Sequence, residues 1–203
     1  MLPLNNITVV ALEQAVAAPF ASRQLADLGA RVIKVERPGA GDFARGYDTT
    51  VNGLSSHFVW LNRSKESLTL DLKRPEAAGV LRQLVARADV FLHNLAPGAM
   101  GRLGFASAAL RKTHPRLVIC EISGYGATGP YRDKKAYDLL VQSEAGLVSI
   151  TGTPDTPSKP STGSARSTVW PSGSRMPSLG RMSTRALMGR LRCAPATPRA
   201  ARP

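Results

Sequence analysis

The sequence predicts an α/β fold in which a parallel β-sheet is flanked by helices. Strand-like and helix-like runs alternate through residues 1–150, which is the pattern of successive βαβ units. The first strand, helix and strand fit within residues 7–36, the usual length of one such unit. Cap and turn residues separate the runs. We therefore expect parallel strands joined by right-handed crossovers.

The first βαβ unit begins with a β-branched strand, ITVVAL, at residues 7–12. Apolar residues at roughly helical spacing predict a helix over residues 18–30, and Gly29 suits its end. A second strand, RVIKVE, follows at residues 31–36.

The next unit has the clearest helix of the chain, at residues 74–88. Pro75 and Glu76 stand at its start, where a missing N–H is tolerated and a negative charge is favoured. Alternation predicts a strand before it, at residues 67–72, and an apolar run predicts another after it, at residues 89–94.

The last predicted elements are a helix at residues 108–114, a strand at 116–123 and a helix at 136–150. Ser107 is expected to cap the first of these helices, and a proline ends it.

Charge divides the chain into two parts. Residues 1–155 carry 18 Lys and Arg against 14 Asp and Glu, whereas residues 156–203 carry nine Lys and Arg and no acid. The second part also lacks Ile, Phe, Tyr, Asn, Gln and His. Too few large apolar residues remain there to form a core. We predict a folded body at residues 1–160 and a disordered basic tail at residues 161–203.

Several classes of protein are disfavoured. Apolar runs are strand-length and interrupted by charge, and Glu13 breaks the amino-terminal one, so neither a membrane span nor a signal peptide is expected. A cytoplasmic location follows by default. Cys120 and Cys193 are far apart and lie in different kinds of sequence, and the strand-like run around Cys120 predicts a small buried residue there rather than a reactive thiol.

The loops after Glu36, Asn94 and Ser123 are the expected ligand-binding loops, because ligands of parallel sheets bind where the strands end. Cations beside loop glycines suit an anionic ligand such as phosphate. These cations are Arg37, Lys73, Arg102, Lys134 and Lys135.

Residues 37–46, RPGAGDFARG, superficially suggest a dinucleotide loop. The glycine spacing differs from the dinucleotide pattern, and the loop follows the second strand rather than the first. A nicotinamide or flavin site is therefore not expected.

Four motifs in register closely resemble the class III CoA-transferase family. They are ADLGARVIKVERPGAGDFARG, LNRSKESLTLDLKRPE, ADVFLHNLAPGAMGRLGF and ISGYGATGPYRDKKAYDLLVQSEAG. The resemblance covers residues 5–160 and implies a Rossmann-like large domain that binds coenzyme A. It implies acyl-CoA and a carboxylic acid as substrates, with no tightly bound cofactor and no metal. Complete members are ring-like chains interlocked in a homodimer, an expectation that we do not extend to this shorter chain.

The resemblance also implies which residues contact CoA. The matching positions are Arg37, Leu70, Lys73, Asn94, Arg102 and Lys135. Arg37 matches a residue near the nucleotide, and Leu70 and Lys73 match positions that line the adenine and phosphate end. Asn94 and Arg102 match the loop that holds the pantetheine and pyrophosphate.

The resemblance separates two chemistries. Family racemases carry a His base just before the aspartate that corresponds to Asp138, whereas this chain has Tyr137 there. Tyrosine, with a reference pKa near 10, is a poor base at neutral pH, so the transferase interpretation is favoured over the racemase one.

The transferase interpretation implies an aspartate nucleophile. It attacks the acyl-CoA carbonyl to form a mixed anhydride, and the released thiolate then yields an aspartyl-CoA thioester that delivers CoA to the incoming acid. The family pattern places this aspartate near residue 166, where this chain has Arg166, and no acid follows Asp155. Asp138 matches a second acidic position that would support the site.

Two interpretations of the tail follow. In the first, the tail is a frame-shifted translation, and the chain is a truncated, inactive part of a CoA-transferase. In the second, the body is a noncatalytic CoA- or nucleotide-binding module with a basic interaction tail. Trp170 is the sole aromatic residue of that tail. Arg-rich sequence without interleaved aromatics predicts only nonspecific attraction to polyanions, so neither a specific nucleic-acid partner nor a membrane partner is expected.

Overall fold

The computed structural model describes residues 1–126 and 128–145. These residues form two compact units, residues 1–122 and the described part of 123–145. The predicted tail and its boundary at residue 160 lie outside the described residues.

The first unit is built on a five-stranded sheet of order β3-β2-β1-β4-β5 in which every pair is parallel. The strands are β1 (Thr8–Leu12), β2 (Arg31–Glu36), β3 (Lys65–Thr69), β4 (Val90–His93) and β5 (Val118–Glu121). The predicted α/β class is confirmed. The chain adds strands outward on one side of β1 and then returns to its other side, so the strand order reverses between β1 and β4.

Helices connect these strands. In the first unit they are α1 (Ala17–Asp27), α2 (Ser56–Asn62), α3 (Pro75–Arg87), α4 (Ala99–Arg102) and α5 (Ser107–Thr113), together with a 3₁₀ turn (Phe43–Gly46). The second unit contains α6 (Asp138–Glu144). Residues 146–150 of the last predicted helix lie outside the described part of the chain.

Alternation along β1 divides the core between the two faces of the sheet. Val9 and Ala11 are fully buried against the α1 side, whereas Val10 and Leu12 are buried on the side of α3 and α5. Burial of each large aliphatic side chain stabilises the fold by about 1.5–3 kcal/mol. Both faces of the central strand are dry, which explains its uninterrupted apolar sequence.

Local signals locate α1 and α3 well. Gly29 has φ +100 just after α1, a conformation that costs glycine little, and Pro75 is the first residue of α3. Cys120 lies half-buried in β5 against the α1-side core, and burial raises the pKa of its thiol, so the thiolate form is disfavoured.

The third strand begins two residues earlier and ends three residues earlier than the alternation predicts. Its ladder with β2 ends where Glu36 pairs with Thr69, and the Leu70 N–H then closes on the Glu36 carbonyl at 2.9 Å. Leu70 and Leu72 pack against the α3-side core after the strand has ended. The apolar alternation in the sequence therefore reflects the burial of Leu70 and Leu72 against this core, although neither residue belongs to the strand.

The expected cap at Ser107 is wrong. Ala106 precedes the first residue of α5, and Ser107 is that first residue. Its hydroxyl donates to the Glu121 carboxylate at the end of β5 instead of to the helix backbone. A contact across 14 residues therefore replaces the local cap that the sequence suggests.

Candidate functional site

The carboxyl-terminal edge of the sheet brings three of the predicted site residues to one side of the fold. Arg37 directly follows β2, Leu70 follows β3, and Asn94 follows β4. Because all the strands are parallel, their carboxyl ends share this edge, and the strand order reverses there between β1 and β4.

Arg37 is an exposed cation in an ordered loop. Its Nε donates to the Gly41 carbonyl at 2.9 Å, and its guanidinium lies 4.6 Å from the centre of the exposed Phe43 ring. Gly41 has φ +61, and a Cβ there would lie 2.6 Å from the Glu36 Oε2 atom. The loop therefore needs glycine at this position, and it presents a stacked guanidinium suited to a phosphate.

Leu70 and Lys73 occupy the connection from β3 to α3. The Leu70 side chain is half-buried against the core on the α3 side. Lys73 is exposed, and its backbone N–H donates to Asp71 Oδ1 at 3.2 Å. The turn thus places an apolar surface and a solvated cation close together in sequence.

Asn94 clamps the chain that leaves β1. Its Oδ1 accepts from the Gln14 N–H at 2.9 Å, and its Nδ2 donates to the Gln14 carbonyl at 2.8 Å. Both ends of the amide are therefore engaged by main chain 80 residues away. Asn94 joins the ends of β1 and β4 at the point where the strand order reverses.

Arg102 ends the short helix α4 and is exposed. The helix is preceded by Gly98 at φ +74, and a Cβ on Gly98 would lie 3.2 Å from Arg102 Nη1. Glycine at this turn therefore lets the guanidinium lie close over the loop that follows Asn94.

Lys135 and Asp138 belong to the second unit. Lys135 is exposed just before α6, and Asp138 is the first residue of that helix. Within this unit the Tyr125 hydroxyl donates to Glu144 Oε2 at 2.6 Å, and Lys134 pairs with the same carboxylate. Hydrogen bonds from Lys134 and Tyr125 lower the pKa of Glu144.

A buried cluster of charges on the α1 side of the sheet was not predicted from the sequence. Lys34 Nζ lies 2.5 Å from Asp42 Oδ2 and 3.6 Å from Glu13 Oε1. Lys65 Nζ lies 2.6 Å from the same Glu13 oxygen, whose partner oxygen accepts from the Ser22 hydroxyl at 2.6 Å. Burial lowers the pKa of Lys65 to about 8, against the opposing pull of Glu13. All four charged side chains are at most 2% exposed.

Glu36, at the end of β2, extends this cluster toward the loop of Arg37. Arg45 binds its carboxylate through two nitrogens, each at 2.8 Å, and the Asp42 N–H and the Ser67 hydroxyl donate to it as well. Burial alone would raise the pKa of Glu36, but these hydrogen bonds outweigh it and lower the pKa to about 2.

One sequence signal pointed to the cluster. Lys34 and Glu36 alternate with Ile33 and Val35 inside β2, a strand whose neighbours lie on both sides. A strand covered on both faces ordinarily reads as an apolar run, so charges within it indicate paired buried groups.

His93 ends β4 beside Glu121 of β5. Its Nε2 lies 3.3 Å from Glu121 Oε1, without the geometry of a hydrogen bond, and neither ring nitrogen makes one among the described residues. Burial lowers the pKa of His93, and the Glu121 carboxylate only partly offsets that shift. The neutral form of the imidazole is therefore favoured.

The part of the chain that the structure describes offers neither a metal site nor a membrane-spanning helix. In it, no group of three or more His, Cys, Asp or Glu side chains is placed to hold a metal ion. None of the described helices has the length and apolar character needed to cross a bilayer.

A protein-family model described as CoA-transferase family III matches residues 4–171 of the chain. The chain belongs to this family. The match spans most of the sequence and includes every residue of the sheet edge described above, so the resemblance drawn from the four motifs is confirmed.

Curated relatives of this family III chain are CoA-transferases by name. Succinyl-CoA:glutarate CoA-transferase of Mus musculus is 40% identical over 156 residues, which cover 76% of this chain and 36% of the relative. Acetyl-CoA:oxalate CoA-transferase of Acetobacter aceti is 42% identical over 155 residues, which cover 76% of this chain and 40% of the relative. The family III chain thus spans well under half the length of these relatives.

Solved structures of similar fold agree with the family III assignment. A CAIB/BAIF family protein from Brucella suis superposes with a TM-score of 0.77 and 31% identity, covering 94% of this chain and 49% of that one. A protein from Mycobacterium tuberculosis superposes with a TM-score of 0.75 and 33% identity, covering 93% of this chain and 50% of that one.

Proposed function

We propose that this chain is the coenzyme A-binding part of a CoA-transferase, an enzyme that moves CoA from an acyl-CoA to a carboxylic acid. The observation that carries the proposal is the meeting of Arg37, Leu70 and Asn94 at one sheet edge, in a chain of this family. Ligands of parallel sheets bind at this edge, beside the reversal of strand order. CoA is the substrate that such a site would hold.

The phosphates of CoA are assigned to the two exposed arginines of this edge. The Arg37 guanidinium is held by its own loop through Phe43 and the Gly41 carbonyl, and the Arg102 guanidinium lies close to the Gly98 turn. Guanidinium groups make charge-assisted, often bidentate hydrogen bonds to phosphate. CoA carries a pyrophosphate and a separate ribose phosphate, which gives each arginine an anionic partner.

The remaining predicted contacts supply shape and further charge. Leu70 offers apolar surface for the adenine, and the exposed Lys73 a cation near it. Asn94 is proposed to order the main chain at Gln14 through its two hydrogen bonds and to contact the pantetheine of CoA. Lys135, in the second unit, is proposed as a further basic contact on the strength of the family resemblance.

The test is direct binding of CoA to the full chain by isothermal titration calorimetry. We expect the double variant Arg37→Ala/Arg102→Ala to bind CoA at least about tenfold more weakly than the wild type, because two charge-assisted hydrogen bonds are lost. Affinity should also fall as salt is raised, since exposed charges are screened.

A matched control removes the same charge at the opposite edge of the sheet. Arg87 and Arg111 are exposed in the last turns of α3 and α5, the helices that lead into β4 and β5. The double variant Arg87→Ala/Arg111→Ala should bind CoA like the wild type. Equal affinity of both double variants would contradict the proposed site, provided circular dichroism shows that both are folded.

The chain as written is proposed to bind CoA without transferring it. Transfer through an enzyme-bound aspartyl thioester needs a carboxylate nucleophile, and position 166, where the family pattern places it, is Arg166. No acidic residue follows Asp155. Asp138 remains a proposed supporting acid rather than the nucleophile.

A shift of reading frame after Lys159 accounts for the missing acid. GC-rich codons read out of frame yield Arg, Ala, Pro, Ser and Gly in excess, as residues 161–203 do. The coding DNA from the codon of Pro157 onward should therefore encode, in another frame, an aspartate within about ten codons of Lys159, followed by a helical apolar run. A sequence with no such aspartate in either alternative frame would contradict the frameshift.

The same DNA reading decides the second candidate function. If no alternative frame restores the aspartate, the basic tail is the encoded one, and the chain is a noncatalytic CoA- or nucleotide-binding module that carries a basic tail. The missing nucleophile at Arg166 favours this candidate over an active transferase. Tyr137 disfavours a racemase, because it replaces the base that a racemase needs.

A further inference from the structure

The turn formed by Gln14 and Ala15 occupies the position where the strand order reverses. It directly follows β1, which lies between β2 and β4. Ala15 has φ +63, the left-handed region that residues with a Cβ rarely occupy. Such strain persists only where the surrounding structure imposes it, and it concentrates at ligand-binding sites.

Two side chains hold this turn, one from each side of β1. Asn94, after β4, binds both the N–H and the carbonyl of Gln14 at 2.9 and 2.8 Å. Asp42, in the loop after β2, accepts from the Ala15 N–H through Oδ1 at 2.8 Å. The strained residue is thus tied to the loop that also carries Arg37.

The Asp42 carboxylate is itself held in place. Its Oδ1 also accepts from the Ala44 N–H at 2.9 Å, and its Oδ2 faces Lys34 Nζ at 2.5 Å. The backbone N–H of Asp42 donates to Glu36 Oε2 at 2.9 Å. Asp42 and Lys34 are 2% and 1% exposed, so this arrangement is shielded from solvent.

We propose that Asp42 is a positioning residue for CoA binding that holds the Gln14–Ala15 turn in its strained conformation at the ligand edge. The inference rests on the proposed function. Asp42 acts through the turn and is not assigned a contact to CoA. When the acceptor oxygen is removed, the turn also occupies other conformations. The apparent affinity for CoA then falls in proportion to the fraction of molecules that keep the correct conformation.

A matched pair of double variants isolates the acceptor oxygen. In Lys34→Met/Asp42→Asn the amide oxygen still accepts from Ala15, whereas in Lys34→Met/Asp42→Ala no acceptor remains. Both double variants lack the Lys34 ammonium and the Asp42 carboxylate, so neither variant leaves one charge of this buried pair without the other. We expect the first to bind CoA within about threefold of the wild type and the second about tenfold more weakly, the loss expected if the correct turn is occupied about a tenth of the time.

Ser22→Ala is the control for a general loss of stability. It removes the hydrogen bond to Glu13 in the same buried cluster but touches neither residue of the turn. Ser22→Ala should lower the melting temperature without changing the dissociation constant for CoA. Binding is measured at a temperature well below the melting temperature of every variant.

Hydrogen exchange at the Ala15 amide gives a readout that does not depend on CoA. We expect protection in the wild type and in the double variant with Asp42→Asn, and its loss in the double variant with Asp42→Ala. The β2 amide of Val32 should be protected in all three proteins. Equal CoA affinity in the two double variants, when both are folded, would overturn the inference. An unprotected Ala15 amide in the wild type would also overturn it, and that measurement holds even if a variant fails to fold. A wild type that protects Ala15 but does not bind CoA would instead refute the proposed function, and the role in CoA binding with it.

Discussion

Replacing Lys34 by methionine is expected to lower the free energy of unfolding by about 3–5 kcal/mol, the usual cost of breaking a buried ion pair. Lys34 is the ammonium that faces Asp42 at 2.5 Å, and both side chains are almost fully buried. Methionine fills a similar volume, so the loss reports the stranded Asp42 carboxylate rather than a cavity. Urea unfolding followed by circular dichroism at pH 7 measures the effect.

Arg31→Met is the matched control on the same strand. Arg31 also forms an ion pair, with Glu66 at 2.7 Å, but its side chain is 61% exposed. An exposed pair of this kind contributes about 0–1 kcal/mol. If Lys34→Met and Arg31→Met lost a comparable free energy of unfolding, the pair of Lys34 and Asp42 would not be buried in solution.

Replacing Glu36 by glutamine is expected to remove an acid-dependent part of the stability. The folded pKa of Glu36 is lowered from 4.5 to about 2, because the hydrogen bonds from Arg45, the Asp42 N–H and Ser67 outweigh the burial that would raise it. A lowered carboxyl pKa stabilises the fold fully above 4.5, and this contribution is lost as the pH falls from 4.5 to about 2. A shift of this size corresponds to about 3 kcal/mol.

The measurement is the difference in unfolding free energy between wild type and Glu36→Gln at pH 7, 4 and 2.5. The difference should be about 3 kcal/mol at pH 7 and shrink steadily toward the acid end. Glu66→Gln, which changes an exposed carboxylate on β3, should show a difference below about 1 kcal/mol throughout. A wild-type advantage over Glu36→Gln that does not change between pH 7 and 2.5 would refute the lowered pKa.

The two predictions concern one structural feature, because Lys34, Glu36 and Asp42 support each other. The Asp42 N–H binds Glu36, and the Asp42 carboxylate binds Lys34. Free-energy changes of neighbouring groups in such a network are not additive. The double variant Lys34→Met/Asp42→Asn is therefore expected to lose less stability than Lys34→Met alone, since it leaves no unpaired carboxylate.

Much of the secondary structure was predictable, because the signals for it are local. The strand at residues 31–36 was predicted with the bounds that the structure shows, and the helix at 74–88 differs by one residue at each end. The β-branched residues Val32, Ile33 and Val35 mark the strand. Pro75 marks the start of the helix. No helix was predicted at residues 56–62, where the structure has α2, a short helix with much of its apolar surface exposed.

The candidate site was predictable only as a set of loops. The sequence alone placed Arg37 after a strand and Asn94 at the last residue of one, and parallel strands must bring such ends to one edge. The sequence placed Leu70 inside the strand predicted at residues 67–72, whereas the structure ends that strand at Thr69. The sequence did not predict that the Asn94 amide binds Gln14, because that contact joins residues 80 positions apart. Contacts of that range depend on strand order, which local periodicity does not encode.

The amino-acid sequence thus determines the class of fold, the edge at which a ligand is expected, and the loss of acidic residues after Asp155, since each follows from local pattern and composition. The tertiary structure decides which charges are buried and which loops are held. The local sequence shows only that Lys34 is a charged residue within a strand. Lys34 pairs with Asp42 only because the loop after β2 folds back over the sheet. Burial makes that pairing obligatory, because a charge removed from water must find its partner within the fold.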